Sequence, residues 1–235
     1  MLSALLFLPG AALCGAAAPA DPLWSKAVEI TRASVDWVPG SVSFVLQLVD
    51  EKGMAQDSWQ SWYTLAPGAD GAVGMDVVKA THNGDDTTAR EQENQRKSKR
   101  EPPTHWDNPF DPKVQQDVTM KATGKTELLG GRSCSLYDFV FTKADKTTLT
   151  GTAWLDALTG APLQVRYTAS PLPRGLATLT TTLRFAKGPA GDGFLQEARV
   201  EGVGGILFIK RNFRSVVTVG DYWRPSPVSS PPASG

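Results

Sequence analysis

The chain is poor in the residues that most often carry acid–base, nucleophilic and metal chemistry. It has two histidines, His82 and His105, and two cysteines, Cys14 and Cys134, in 235 residues. Structural zinc sites need Cys and His ligands at short regular spacings, and these four residues offer none. If Cys14 is removed with a leader, Cys134 is left alone and cannot close an intramolecular disulfide. Its strand-like neighbours make it a buried, inert thiol. There is no Gly-x-Ser-x-Gly elbow and no Ser/His/Asp set in a recognisable context. An excess of charge of one sign is also missing, since 24 Lys and Arg balance 24 Asp and Glu. That argues against bulk electrostatic binding to nucleic acid and gives no support for a strongly anionic membrane surface. Strands do not alternate with helices, which argues against a parallel sheet. Gly202-x-Gly204-Gly205 lies between two strands rather than between a strand and a helix, which makes it a turn or bulge, not a dinucleotide loop. Asp107 and Asp111, with Asn108 between them, lack the glycine and distal glutamate of an EF-hand. No cofactor and no catalytic set is expected.

What is present begins with an apolar, uncharged N-terminus. Leu2 to Leu8 is broken by Pro9-Gly10 and followed by small residues up to Ala18-Pro19-Ala20. Residues 1–20 read as a secretory signal cleaved before Asp21, although the usual basic n-region is missing. The run is too short and interrupted for a membrane span. Export to the periplasm is the expectation. Lipid anchoring through Cys14 is the alternative, weakened by Leu13 where a lipobox has a small residue. The remaining composition, 41% hydrophobic and 20% charged, is enough for a sizeable core. A single domain is expected over residues 21–224, with a disordered Pro/Ser tail at 225–235.

Trp24 to Ala33 has a helical period, with Trp24, Ala27, Val28 and Ile30 on one face and Pro22 at its start. From Ser41 the period becomes two, with Val42, Phe44, Leu46 and Leu48 opposite Ser43, Val45, Gln47 and Val49. Further strands are predicted at Ser58–Leu65, Met75–Ala80, Val118–Thr123, Ser133–Thr142, Thr147–Leu155, Leu163–Thr168, Leu176–Lys187, Phe194–Val203, Ile206–Phe213 and Ser215–Tyr222. Gly/Pro turns join them into an antiparallel meander. Residues 81–112 stand apart. No apolar residue lies between Ala89 and Pro102, so this charged stretch cannot bury a face and is expected to be an irregular loop, a lid region or an exposed helix.

One group of motifs is more specific. Gly131-Arg132-Ser133-Cys134-Ser135-Leu136-Tyr137 precedes Gly151-Thr152-Ala153-Trp154-Leu155-Asp156 and Thr159-Gly160-Ala161-Pro162-Leu163. Together with the Ile206–Arg211 strand and Asp221-Tyr222-Trp223, this resembles the outer-membrane lipoprotein-sorting (LolA/LolB-like) superfamily over roughly Cys134 to Trp223. The resemblance implies a curved antiparallel sheet forming an incomplete half barrel, with a few helices covering its open side and a hollow that accepts acyl chains. On that basis Phe44, Leu46, Trp59, Trp62, Tyr137, Phe139, Phe141, Trp154, Leu183 and Phe185 are candidates to line an apolar cavity. The competing use of such aromatics is to fill a core. The function expected is non-catalytic: a monomeric periplasmic carrier of lipid or of lipoprotein acyl chains. The alternative is an envelope scaffold that presents the same fold to a protein partner.

Overall fold

The computed structural model describes residues 21–68, 73–98, 106–206 and 209–225. The expected signal segment, Cys14, His105 and most of the Pro/Ser tail lie outside these residues. The elements are α1 (Pro22–Ser34), β1 (Ser41–Val49), β2 (Ala55–Pro67), β3 (Val73–His82), β4 (Asp85–Asp86), α2 (Thr88–Ser98), a 3-10 turn (Pro112–Asp117), β5 (Val118–Leu129), β6 (Arg132–Thr142), β7 (Thr148–Asp156), β8 (Pro162–Ser170), β9 (Leu176–Gly188), β10 (Gly191–Ile206) and β11 (Ile209–Gly220).

All eleven strands form one sheet in the order β4-β3-β2-β1-β11-β10-β9-β8-β7-β6-β5. Every neighbouring pair is antiparallel. The pairing of β1 with β11 joins two meanders. The outermost strands β4 and β5 do not pair with each other, so the sheet is not closed into a barrel. It wraps far enough for residues from β1 and β2 to share one core cluster with residues from β6 and β7. The expected mainly-β, open antiparallel architecture with a few helices is the one observed.

Two segments differ from the sequence expectation. Residues 81–98 are ordered as the end of β3, β4 and the helix α2, not as an irregular loop. The predicted Ile206–Phe213 and Ser215–Tyr222 strands are one strand, and β10 runs on through Gly202 and Gly204. The glycine cluster is a bulge inside β10, with the register shifting between Val203 and Gly204.

The helix α1 starts where it does because Asp21 caps it. The carboxylate accepts the Leu23 and Trp24 N–H groups at 3.0 and 3.2 Å, and Pro22 occupies the first turn, where its missing N–H costs nothing. Trp24, Ala27 and Thr31 are then buried against the sheet.

The β7–β8 hairpin seats this helix. Asp156 Oδ1 accepts from the N–H groups of Leu158 and Thr159 and from the Thr159 hydroxyl, and Oδ2 accepts from Arg132 at 2.7 Å. Gly160 has φ +71, and a Cβ there would lie 2.9 Å from Lys26 Cβ and 3.2 Å from the Leu23 carbonyl. Only glycine allows both the turn and the contact with α1.

The two sheet edges are protected differently. Along β3, α2 stands in for a strand. Gln92 Nε2 donates to the Val77 carbonyl at 3.0 Å, Gln95 Nε2 donates to the Met75 carbonyl, and the Thr88 hydroxyl accepts from the Ala80 N–H at 3.0 Å. The edge of β5 carries exposed Lys121 and Lys125 and a bulge between Ala122 and Thr126 around Gly124, at φ 72. Charge and bulges both oppose edge-to-edge association.

Burial pushes the Asp156 pKa up, but the hydrogen bonds from Thr159, Arg132 and Leu158 outweigh it and hold it down at about 2, against an ordinary 3.8. A folded-state pKa below the unfolded one stabilises the fold fully above pH ~4, and the contribution disappears as pH falls through about 2. Asp156→Asn is expected to cost about 2 kcal/mol at pH 7 and to flatten the acid limb of stability between pH ~4 and ~2, measured by urea unfolding across pH. A second expectation concerns α2, which has no apolar anchor. Gln92→Ala with Gln95→Ala should abolish hydrogen-exchange protection of the α2 amides while moving global stability by no more than ~1 kcal/mol per lost bond.

Candidate functional site

The strand registers define an inner face. Val42, Phe44, Leu46 and Leu48 of β1 stand opposite Val219, Val217, Ser215 and Phe213 of β11. The same face continues through Ala198, Val200 and Gly202 of β10 and Leu183, Thr181 and Leu179 of β9. It reaches Tyr137, Phe139 and Phe141 of β6 by way of Val165 and Tyr167 on β8 and Leu149, Gly151 and Ala153 on β7.

Part of this face is filled. Trp24 of α1 packs at ring-centroid distances of 4.8 Å from Phe110, 5.8 Å from Tyr137 and 6.4 Å from Phe139. Its indole N–H donates to Gln115 Oε1 at 3.1 Å, and Gln115 Nε2 donates in turn to the carbonyls of Pro109 and Asp111. The Tyr137 hydroxyl donates to Asp21 Oδ1 at 2.7 Å, which ties the helix cap to β6. Burial first, and then the adjacent Asp21 carboxylate, push the Tyr137 phenol well above its usual range. At Gly151 a Cβ would meet the Arg166 carbonyl at 2.1 Å and Tyr167 Cβ at 2.7 Å. The missing side chain therefore lets β7 and β8 close beneath the Phe139 and Tyr167 rings. Tyr137, Phe139, Phe141, Leu183 and Phe185 are all buried in this half.

Towards the other ends of β1 and β11 the inner face is still apolar but only half-buried. Phe44, Leu46 and Leu48, Trp59 of β2, Leu179 of β9, Val200 of β10 and Phe213 of β11 lie half-buried on this face as an apolar strip, called the trough below, across five adjacent strands. Four interstrand gaps at about 4.8 Å make it roughly 19 Å long. Phe213 lies across Gly202, where a Cβ would come within 3.0 Å of its ring carbons. At the β2–β3 end, Trp59 stacks on His82 with centroids 4.9 Å apart and planes 6° from parallel. His82 Nε2 is 2.7 Å from Asp57 Oδ1. For Asp57, the hydrogen bonds from His82 and Asn83 outweigh desolvation, and its pKa is lowered.

The structure divides the ten sequence-predicted residues into three groups. Phe44, Leu46 and Trp59 belong to the trough. Tyr137, Phe139, Phe141, Leu183 and Phe185 belong to the filled core. Trp62 and Trp154 are on the opposite face and line neither, which corrects the sequence expectation. Trp62 is paired with Ser43 and Lys79, and the Lys79 ammonium sits 5.6 Å from its ring. Trp154 pairs with Leu136 and Gln164 and donates its indole N–H to Glu127 at 2.8 Å. Strand parity explains both: Trp62 is three residues from Trp59, and Trp154 shares the face of Thr150 and Thr152. Val200 and Phe213 belong to the trough as well: the β1–β11 register sets Phe213 opposite Leu48, and the β10–β11 register sets Val200 opposite Ser215, the partner of Leu46. Among the described residues, no three His, Cys, Asp or Glu side chains are grouped to hold a metal ion.

No protein-family model and no curated protein matches the chain. Solved structures do. A DUF1329 family protein from Desulfovibrio piger is 13% identical, with 88% of this chain and 93% of that one covered, at TM-score 0.41. A LolA superfamily protein from Nitrosomonas europaea is 10% identical over 87% and 92%, at TM-score 0.39. A domain assigned to outer membrane lipoprotein sorting, from Vibrio parahaemolyticus, is 12% identical over 88% and 95%, at TM-score 0.37. These include the superfamily that the hairpin motifs resemble. Identities of 10–13% carry no residue roles across.

The position of Trp24 gives a test of the filled half. Trp24→Ala removes the ring that fills the space between α1 and the sheet and should cost about 3–5 kcal/mol, measured by chemical denaturation. A cost near zero would mean that α1 is not part of the folded core.

Proposed function

We propose that residues 21–224 act as a non-catalytic binding domain of the bacterial envelope, holding the acyl chain of a lipid or lipoprotein in the trough. The observation that carries this reading is the change along one continuous inner face. Under α1 its apolar residues are sealed from water, whereas from Phe44 to Leu48 and across to Phe213 they are left half-open. An uncovered apolar strip framed by polar strand ends is a favourable place for an apolar ligand. Each methylene buried there contributes about 0.8 kcal/mol. Export, which the reading requires, is supported by the signal-like sequence of residues 1–20.

A second reading, an envelope scaffold for a protein partner, is favoured by the filled half of the face. Trp24 and Phe110 occupy the space in which an enclosed lipid hollow would lie.

The two readings part in a direct experiment. Protein purified without detergent is examined by native mass spectrometry for bound lipid and titrated with a fluorescent fatty acid. Saturable binding is expected. Leu46→Glu should weaken it by at least about tenfold, equivalent to ~1.4 kcal/mol, while Trp62→Ala on the opposite face should leave it unchanged. Absence of co-purifying lipid together with no fatty-acid binding would sink the carrier reading and leave the scaffold.

A further inference from the structure

β4 covers only the last two residues of β3, Thr81 and His82. The chain then turns into α2 instead of running on along that edge as a strand. What remains of the edge carries the outward carbonyls of Ala80, Val77 and Met75. The Thr87 N–H donates to the first at 2.9 Å, Gln92 Nε2 to the second at 3.0 Å and Gln95 Nε2 to the third. In an antiparallel ladder the N–H and C=O of one residue lie on the same side, as Ala80 shows by also donating its N–H to the Thr88 hydroxyl at 3.0 Å. The edge therefore presents the alternating donors and acceptors that a further strand would use, and α2 meets them mainly with side chains.

That cover is weakly built. Ala89 is the only apolar residue of α2, and it is exposed. The helix has 11 residues, a length that is marginal in water without an apolar anchor. The lysines and the bulge that guard β5 belong to the strand itself and cannot be withdrawn. Beneath α2, Met75 and Val77 pair with Leu65 and Tyr63 on the inner side of the sheet, and Asp76 pairs with Thr64 on the outer side. The register shifts by one residue at Val78, so the run open to a single added strand is residues 73–77. Val73 and Val78, which bracket it, are exposed.

We propose that α2 is a displaceable cover, and that residues 73–77 are a docking edge for an extended segment of another protein, which adds to the sheet as a strand through main-chain hydrogen bonds. The fitting segment has apolar residues at alternate positions, to lie beside Met75 and Val77 on the inner side. It has a basic residue between them, to face Asp76 on the outer side. A second copy of this chain fits less well. Its outer edges are β3, under its own α2, and β5, with its lysines and bulge. The proposal stands whether or not the trough holds lipid.

The probe is a fluorescein-labelled peptide of alternating valine and threonine with one central lysine, titrated against the full chain by fluorescence polarisation. Its control is the same peptide N-methylated at alternate residues, which removes donors from its pairing edge and leaves the side chains unchanged. Saturable binding of the first peptide and not of the second is expected. Gln92→Ala with Gln95→Ala should tighten it about tenfold or more, because a larger fraction of chains then has the edge uncovered. Hydrogen exchange should show the Met75 and Val77 amides newly protected by the peptide, with β5 unchanged. Leu46→Glu should leave peptide binding unaltered, which separates this edge from the trough. Absence of binding, equal binding of the N-methylated peptide, no tightening in the folded double variant, or protection outside β3 overturns the proposal. If the double variant does not fold, the exchange measurement on the unaltered chain decides. Dimerisation of the double variant without peptide would assign the edge to a second copy and likewise overturn it.

Discussion

An open, eleven-stranded sheet must cover an apolar face it cannot close over, and here that cover depends on the docking of one helix. Asp21 is the joint. Its carboxylate satisfies the first N–H groups of α1 and also accepts the Tyr137 hydroxyl from β6. A helix cap and a helix–sheet contact are thus one interaction. Trp24, one turn in, places a large ring where Phe110, Tyr137 and Phe139 meet. Fixing the start of a short helix in both direction and register makes that burial possible, because isolated helices of this length are marginal in water.

The same docking divides the inner face. α1 is 13 residues long, about 20 Å at 1.5 Å per residue. It contacts β7, β8 and β10 but does not extend over the Phe44–Leu48 end of β1. The sheet therefore has a sealed half and a half-open half without any change in the character of its strands. A fully enclosed hollow would require Trp24 to leave. The open apolar strip, by contrast, is accessible with nothing moved.

Much of the sheet is legible because strand periodicity survives in a charge-balanced chain. β1, β6, β7 and β9 alternate cleanly, and parity alone separates Tyr137, Phe139 and Phe141 from Asp138 and Val140. The site was less legible for two physical reasons. Aromatic character does not reveal the face, so Trp62 and Trp154 were grouped with Trp59 although the two-residue period opposes it. And trough membership is a matter of register between distant strands: Phe213 meets Leu48 only through the β1–β11 pairing. The segment 81–98 misled because α2 has no apolar stripe to read. It is held by glutamine side chains on strand carbonyls, and hydrophobic pattern does not report interactions of that kind.

The β7–β8 hairpin is built chiefly to seat α1. Most of its residues serve that seat, while Trp154 faces the other side of the sheet and donates to Glu127. Asp156 organises the turn and holds Arg132. Gly160 supplies the positive φ and the close approach to Lys26 and Leu23. Leu155, Ala161 and Pro162 are buried beneath it. None of them reaches the trough. The residues that seat α1 and the half-buried apolar residues at the Phe44–Leu48 end of the face are therefore separate sets, so either can be altered without touching the other.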